Sequence, residues 1–243
     1  MFYQEVLKTP MHPKVMPTAK NLLSRIIPDS RPLQFLAWLP RLETWRRKHR
    51  EQYQTFENRY LMYEWLNSVP LGNRGIEFLE FGVYKGDSIR RWSELNGASN
   101  SRFRGFDTFT GLPETWDSFT GTIKHGHFDV AGAVPNIDDG RVSFVRGLFQ
   151  ETLRAFLSEF SPAQDLVIHL DADIYSATLY VLTFMNDLIK PGTIIVFDEF
   201  SSVLHEFRAL EDYCGAYLRS YQVLAAVRSE VDYYSQIAIR VTV

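Results

Sequence analysis

Between residues 76 and 198 the sequence returns five times to one pattern, a short apolar run that stops on a glycine or a carboxylate. The runs are 76–81, 102–106, 142–145, 166–170 and 193–197. Four of them lead into stretches with helical spacing, predicted over 87–95, 149–160, 175–189 and 203–218. Pro191 and Gly192 close the third of these helices. Apolar runs too short for buried helices, alternating with amphipathic ones, specify a mostly parallel sheet covered by helices on both faces. Two final strands are expected over 222–227 and 236–243. The turn-like segment between them, 229–232, is too short for a parallel crossover, so they must pair antiparallel. The expected fold class is therefore α/β: a doubly wound, mostly parallel, seven-stranded sheet ending in an antiparallel hairpin, with a helical N-terminal extension.

The boundary of that extension follows from texture. Residues 1–70 read as helices and connectors and are assigned as an N-terminal extension or lid; residues 71–243 form the sheet domain. Pro10, Pro13 and Pro17 predict an irregular start. Residues 41–50 are charged and suit a solvated helical face. Phe56, Tyr60, Leu61, Tyr63 and Leu66 predict a helix over 56–66, and Pro70, Gly72 and Gly75 punctuate its end. A formal net charge of −3 with 23% charged residues leaves no basic footprint for nucleic acid or an anionic membrane. The N-terminus has no signal-peptide pattern and no apolar run reaches the roughly 18 residues of a membrane span, so a cytoplasmic protein is expected. Cys214 is the only cysteine, which rules out an intrachain disulfide, and its helical context makes it a packing residue. Aromatic residues make up 14% and concentrate before residue 80 and within 103–128, which suits a partly aromatic pocket or a homo-oligomer interface.

In an open α/β sheet, ligands bind at the carboxyl ends of the strands. Those ends carry Glu80 and Gly82, Asp107, Gly147, Asp171, and Asp198 with Glu199. Any one acid there could simply cap a helix, but the set shares one edge of one sheet. The first turn, Glu80-Phe81-Gly82-Val83-Tyr84-Lys85-Gly86-Asp87-Ser88, spaces two glycines four apart, unlike the G-x-G-x-x-G of dinucleotide enzymes, and so disfavours NAD. A helix start with free amides and Ser88 suits a ligand carboxylate. Asp107, ending the second strand, suits ribose hydroxyls. An amino-acid carboxylate and a ribose in one ligand describe S-adenosylmethionine. Residues 108–140 hold Phe109, Trp116, Phe119, His125 and His127 with no period. They read as one long loop over the cleft, and loops of that length are usually functional.

The stretch EFGVYKGDSIRRW (80–92) resembles the first motif of the macrocin O-methyltransferase family of class I methyltransferases. FDTFTGLPE (106–114), RVSFVRGLFQETL (141–153), HLDADIYSAT (169–178) and GTIIVFDEF (192–200) agree in order and spacing, so the likeness covers about residues 58–213. The resemblance implies an S-adenosylmethionine-dependent methyltransferase acting on a small-molecule hydroxyl, such as that of a sugar or natural product, with help from Mg²⁺. By the same resemblance, Glu80, Gly82, Tyr84, Gly86 and Ser88 would surround the methionine end of the cofactor. Asp107 would hold the ribose, Gly147 and Phe149 would border the adenine, and Asp171 would lie beside the cofactor. Asp171, Asp198 and Glu199 would ligate the metal, hard oxygens suiting Mg²⁺, although such enzymes commonly carry Asp-Asp or Asp-Asn where this chain has Asp198-Glu199. Asp173 is a further acid near the set. Asp171, His125 and His127 are the candidates for catalysis, a histidine being suited to proton removal near neutrality. His169 and His205 are assigned to the core and to a helix surface. The alternatives are a methyltransferase that needs no metal and a catalytically silent cofactor-binding protein of the same fold.

Overall fold

The computed structural model describes residues 16–50, 53–118, 121–228 and 234–243. The chain divides into two compact units, Met1–Ala37 and Trp38–Val243. The first unit contains α1 (Met16–Ile26) and the start of α2 (Arg31–His49). Pro10 and Pro13 lie outside the described residues. Pro17 opens α1 rather than interrupting it, because a first-turn proline lacks only an N–H that has no partner there anyway.

In the second unit, α2 leads to β1 (Gln54–Phe56) and α3 (Arg59–Ser68). The sheet domain then runs β2 (Ile76–Phe81), α4 (Asp87–Leu95), β3 (Arg102–Asp107), β4 (Trp116–Ser118), β5 (Gly121–Ile123), β6 (Val142–Arg146) and α5 (Phe149–Glu159). It continues with β7 (Asp165–Leu170), α6 (Tyr175–Phe184), β8 (Ile194–Asp198), α7 (Glu206–Tyr217), β9 (Tyr221–Val227) and β10 (Gln236–Val241). The charged stretch of α2 is solvated as expected, while Leu42, Trp45 and His49 form its buried stripe at i, i+3 and i+7. The helix expected from Phe56 starts later, at Arg59. Asn58 takes the extended conformation of an N-cap and accepts from the Leu61 amide at 3.1 Å.

The main sheet has the order β1-β9-β10-β8-β7-β2-β3-β6. It is the doubly wound, mostly parallel sheet with an antiparallel β9–β10 end. It has eight strands rather than seven, because Gln54–Phe56 adds a parallel edge strand to β9. A three-residue strand is too short to show a period in sequence. β2 and β8 are buried along their whole length, as parallel strands covered on both faces must be. The aromatic core continues from Phe78 onto Trp92 (5.1 Å between centroids) and Phe103 (5.8 Å). Within the segment expected to be one long loop, β4 and β5 pair antiparallel, and Thr110 bridges Asp129.

The chain winds outward through β2, β3 and β6, then crosses back to β7 and β8. The switch point lies between β2 and β7. Register fixes what gathers there. Phe81 is opposite Phe106 and Leu170, and Leu170 is opposite Phe197. The residues just past those positions, Gly82, Asp107, Asp171 and Asp198, therefore meet at one edge of the sheet.

Candidate active site

A cavity of about 320 Å³ opens at this edge. Gly82, Val83 and Tyr84 line it from the end of β2, and Asp107 and Thr108 from β3. Asp171, Ala172 and Asp173 follow β7, and Asp198 and Glu199 end β8. Leu148, Phe149 and Gln150 at the start of α5, Arg59 of α3, and the loop residues Leu112, Trp116 and Phe128 complete the wall.

The backbone here is held in conformations that ordinary residues avoid. Tyr84, Phe109, Phe128, Asp173 and Glu199 all have positive φ, five of the eight such non-glycine residues among those described. Left-handed backbone at a non-glycine residue costs on the order of 1–2 kcal/mol and clusters where surrounding contacts enforce it. The enforcing group for two of them is Asp107. Its Oδ2 accepts from the amides of Val83 (2.7 Å) and Tyr84 (2.8 Å), and its Oδ1 from that of Phe109 (2.7 Å). Gly82 is required for a different reason. A Cβ at this position would lie 1.7 Å from the carbonyl oxygen of Asp171, and φ is +93°. The turn after β2 can pass the end of β7 only without a side chain.

Burial and neighbouring carboxylates raise the pKa of the two acids that follow β7. Burial pushes Asp171 well above the usual carboxylate range, and the charges of Asp198 and Asp173 push it further. Burial, with Asp198 and Glu199, lifts Asp173 to about 8. Arg59 faces this cluster, its Nη1 3.1 Å from Asp198 Oδ2. Burial opposes the Arg59 charge, but Asp198, Tyr63 and Asp171 more than offset it and raise its pKa. Asp198 Oδ1 accepts from Gln236 Nε2 at 2.8 Å, so both Asp198 oxygens are engaged. Glu206, in the first turn of α7, is fully buried and neither of its oxygens has a hydrogen-bond partner. Its pKa stands well above the usual range, first through burial and then through Asp198, Asp171 and Asp173.

The long loop is fastened to these strand ends. Trp116 Nε1 donates to Ser202 Oγ (3.3 Å), and the Ser176 hydroxyl donates to Glu114. His205 Nε2 donates to the Asp117 carbonyl (2.9 Å) while its Nδ1 accepts from the Tyr175 amide (3.2 Å). His205, expected on a helix surface, is thus a buried tie between the loop and two helix starts.

Of the residues singled out in the sequence, Gly82, Tyr84, Asp107, Trp116, Phe149, Asp171, Asp173, Asp198 and Glu199 line the cavity. Glu80, Gly86, Ser88 and Gly147 stand behind its wall. Ser88 is buried and donates to Glu80 rather than standing free. Gly86 caps α4, and Gly147 follows β6 with its amide on the Asp107 carbonyl (2.9 Å). His125 and His127 are exposed, with the His127 ring against Phe128 at 4.4 Å. Phe119 lies outside the described residues. Arg59, Glu206 and Gln236 are absent from the sequence reading. Only a helix-start arginine facing strand-end acids could have signalled the first.

Residues 79–200 match the family model described as a methyltransferase domain. The chain belongs to that family. The methyltransferase is an enzyme dependent on S-adenosylmethionine. Its fold is shared by the crystal structure of CalS11, calicheamicin methyltransferase, at 21% identity over 96% of this chain and 94% of that one, with a TM-score of 0.57. It is shared too by the O-methyltransferase NovP, at 17% identity over 76% and 79% with a TM-score of 0.55. The O-methyltransferase from Bacillus cereus in complex with SAH gives 15% identity over 92% and 96%, and a TM-score of 0.51. No curated protein matches the methyltransferase. Among the described residues, no helix is long and apolar enough to cross a membrane.

Proposed function

We propose that the methyltransferase transfers the S-adenosylmethionine methyl group to a hydroxyl oxygen of a small molecule. The observation that carries this reading is the cluster of carboxyl groups inside the cavity, directly beside the glycine turn. In this reading the cofactor lies across the ends of β2 and β3. Gly82 and Tyr84 are next to its methionine part, with Glu80, Gly86 and Ser88 shaping the turn. Asp107 is next to the ribose, and Phe149, after Gly147, next to the adenine. The acceptor enters beneath Trp116 and Phe128, next to Asp171 and Asp173.

The acceptor oxygen forms a bond to the methyl carbon as the carbon–sulfur bond breaks, and the sulfonium sulfur keeps the electron pair and becomes a neutral thioether. The hydroxyl proton goes to a carboxylate oxygen of Asp173 or Asp171. Asp173, lifted to about 8, is a strong carboxylate base when ionised and can take a proton and release it again. These two residues are better placed for that role than His125 and His127, which lie outside the cavity wall.

A divalent ion would have to sit on Asp171, Asp198 and Glu199. Asp198 already spends one oxygen on Arg59 and the other on Gln236. Among the described residues, no three His, Cys, Asp or Glu side chains converge as metal ligands. As arranged, the donor set does not fit an ion, and no step is routed through one.

A structure with this fold carries the description TDP-rhamnose 3'-O-methyltransferase, which makes nucleotide-linked and free deoxysugars the first acceptors to try. Incubation with methyl-labelled S-adenosylmethionine and a panel of sugar, phenol and amine acceptors tests the reading. Label on a hydroxyl is expected. Label on nitrogen or carbon only, in protein that binds the cofactor, would overturn it.

A further inference from the structure

A chain of buried hydrogen bonds joins the turn after β2 to the acid cluster, through residues that do not line the cavity. Ser88 donates its hydroxyl to Glu80 Oε1, which also faces His169 Nδ1 at 3.0 Å. His169 Nε2 is 3.1 Å from the Tyr63 hydroxyl. Gln236 Nε2 donates to that hydroxyl at 3.1 Å and to Asp198 Oδ1 at 2.8 Å. Asp198 then holds Arg59 through its other oxygen. Glu80, His169, Tyr63 and Gln236 are all fully buried.

The hydrogens in this chain have one consistent arrangement. The Gln236 amide gives one hydrogen to Asp198 and the other to Tyr63. The Tyr63 hydroxyl must then donate to His169 Nε2, so His169 carries its proton on Nδ1, facing Glu80. Aromatic rings fix the members sideways, with Trp92 5.3 Å from Tyr63 and Phe78 stacked 6.0 Å from His169. Gln236 only donates, so the chain cannot pass a proton from end to end. It can fix orientation. Buried polar networks are often no more stable than apolar packing of the same shape, so stability alone is a weak reason for one here. Glu80 Oε2 and Gln236 Oε1 have no hydrogen-bond partner, so the value of this network lies in direction and not in stability: it orients the groups at its two ends.

We propose that His169, Tyr63 and Gln236 are positioning residues of the methyl-transfer site, locking the Asp198 carboxylate to the cofactor turn through Glu80. The proposal rests on the reading that the cofactor occupies the β2 end of the cavity. It predicts that an event at the turn is felt at Gln236.

The test is a titration with S-adenosylhomocysteine followed by ¹⁵N NMR of the Gly82 and Tyr84 backbone amides and the Gln236 side-chain amide. In the wild type all three move together. In Tyr63→Phe, which keeps the ring and removes the hydroxyl, Gly82 and Tyr84 still move and Gln236 does not. With an acceptor from the labelling panel, kcat of Tyr63→Phe falls on the order of ten-fold or more, since small misplacements of reacting groups are costly. KM for S-adenosylmethionine changes less than about two-fold, the pattern of an interaction needed only in the transition state. Gln236→Leu cuts the chain one link nearer Asp198 and lowers kcat in the same way, which keeps the test open if one variant does not fold. A wild-type Gln236 amide that stays still while Gly82 and Tyr84 move overturns the proposal alone. So does a folded Tyr63→Phe with kcat within about two-fold of wild type. No saturable shift at Gly82 or Tyr84 overturns the cofactor placement and the proposal with it.

Discussion

Replacing Asp107 by alanine separates the structural work of that residue from its work on a ligand. The side chain holds three backbone amides at 2.7–2.8 Å. Tyr84 is 38% exposed, so its freed amide can turn to water. Val83 and Phe109 are buried, and their amides would lose partners where water does not reach. Each buried donor stranded in this way costs about 1–3 kcal/mol, so Asp107→Ala should destabilise the cofactor-free protein by about 2–6 kcal/mol. Release of the left-handed backbone at Tyr84 and Phe109 returns part of that and favours the lower half of the range. Asp107→Asn keeps one acceptor oxygen and should cost about half as much. Urea unfolding without cofactor gives these numbers, and calorimetric titration of the folded variants with S-adenosylhomocysteine gives the ligand term. If Asp107 also accepts ribose hydroxyls, affinity should fall by about 1.5–3 kcal/mol beyond the stability change. A stability change below about 1 kcal/mol would refute the claim that this carboxylate holds the turn. An unchanged affinity would move the ribose elsewhere.

Other outcomes follow from the same geometry. Gly82→Ala forces a Cβ onto the Asp171 carbonyl, and destabilisation of about 3 kcal/mol or more, seen as a lower urea midpoint or loss of soluble protein, is expected. Cys214, whose thiol burial pushes up to about 12, should resist alkylation by iodoacetamide at pH 8 while folded and react once unfolded; rapid native labelling would contradict its packing role. Glu206 binds its proton more tightly folded than unfolded, so it costs stability as pH rises above the ordinary glutamate range. Glu206→Gln should therefore gain on wild type by up to about 1.4 kcal/mol per pH unit above pH 5, and hardly at all below pH 4. A pH-independent difference in unfolding free energy would mean that Glu206 is charged in the fold.

The sheet was readable because parallel strands buried on both faces must be apolar throughout, and helices between them must not be. Ile76–Phe81 and Asp87–Leu95 sit where that contrast places them. The reading failed where no contrast exists. Gln54–Phe56 is three residues long, and its strand character comes wholly from pairing with Ala225–Val227. Trp116–Ser118 and Gly121–Ile123 likewise gain their form from each other and from the ties to Ser202 and His205. The helix after β7 stops at Phe184, short of the expected residue 189, and the chain continues in turns closed by Leu188 and Ile189 amides on the Met185 carbonyl.

The site divides along the same physical line. Gly82, Asp107, Asp171 and Asp198 could be found because a strand end is a place in sequence as well as in space. Parallel register then brings such ends together without further information. The groups that set the charge of the cavity have no such address. Arg59 reaches Asp198 from 139 positions earlier in the chain, and Gln236 reaches it from a strand that crosses it antiparallel. Tyr63 looks in sequence like one more apolar position of an amphipathic helix, and His169 like a polar interruption of a strand. Only their mutual contact at 3.1 Å turns two packing residues into a link between two carboxylates. A carboxylate at a strand end can be read as a candidate, but whether it holds a proton, an arginine or an ion depends on what other segments place against its oxygens. In this methyltransferase those segments are α3 and β10, and they give Asp198 an arginine on one oxygen and an amide on the other.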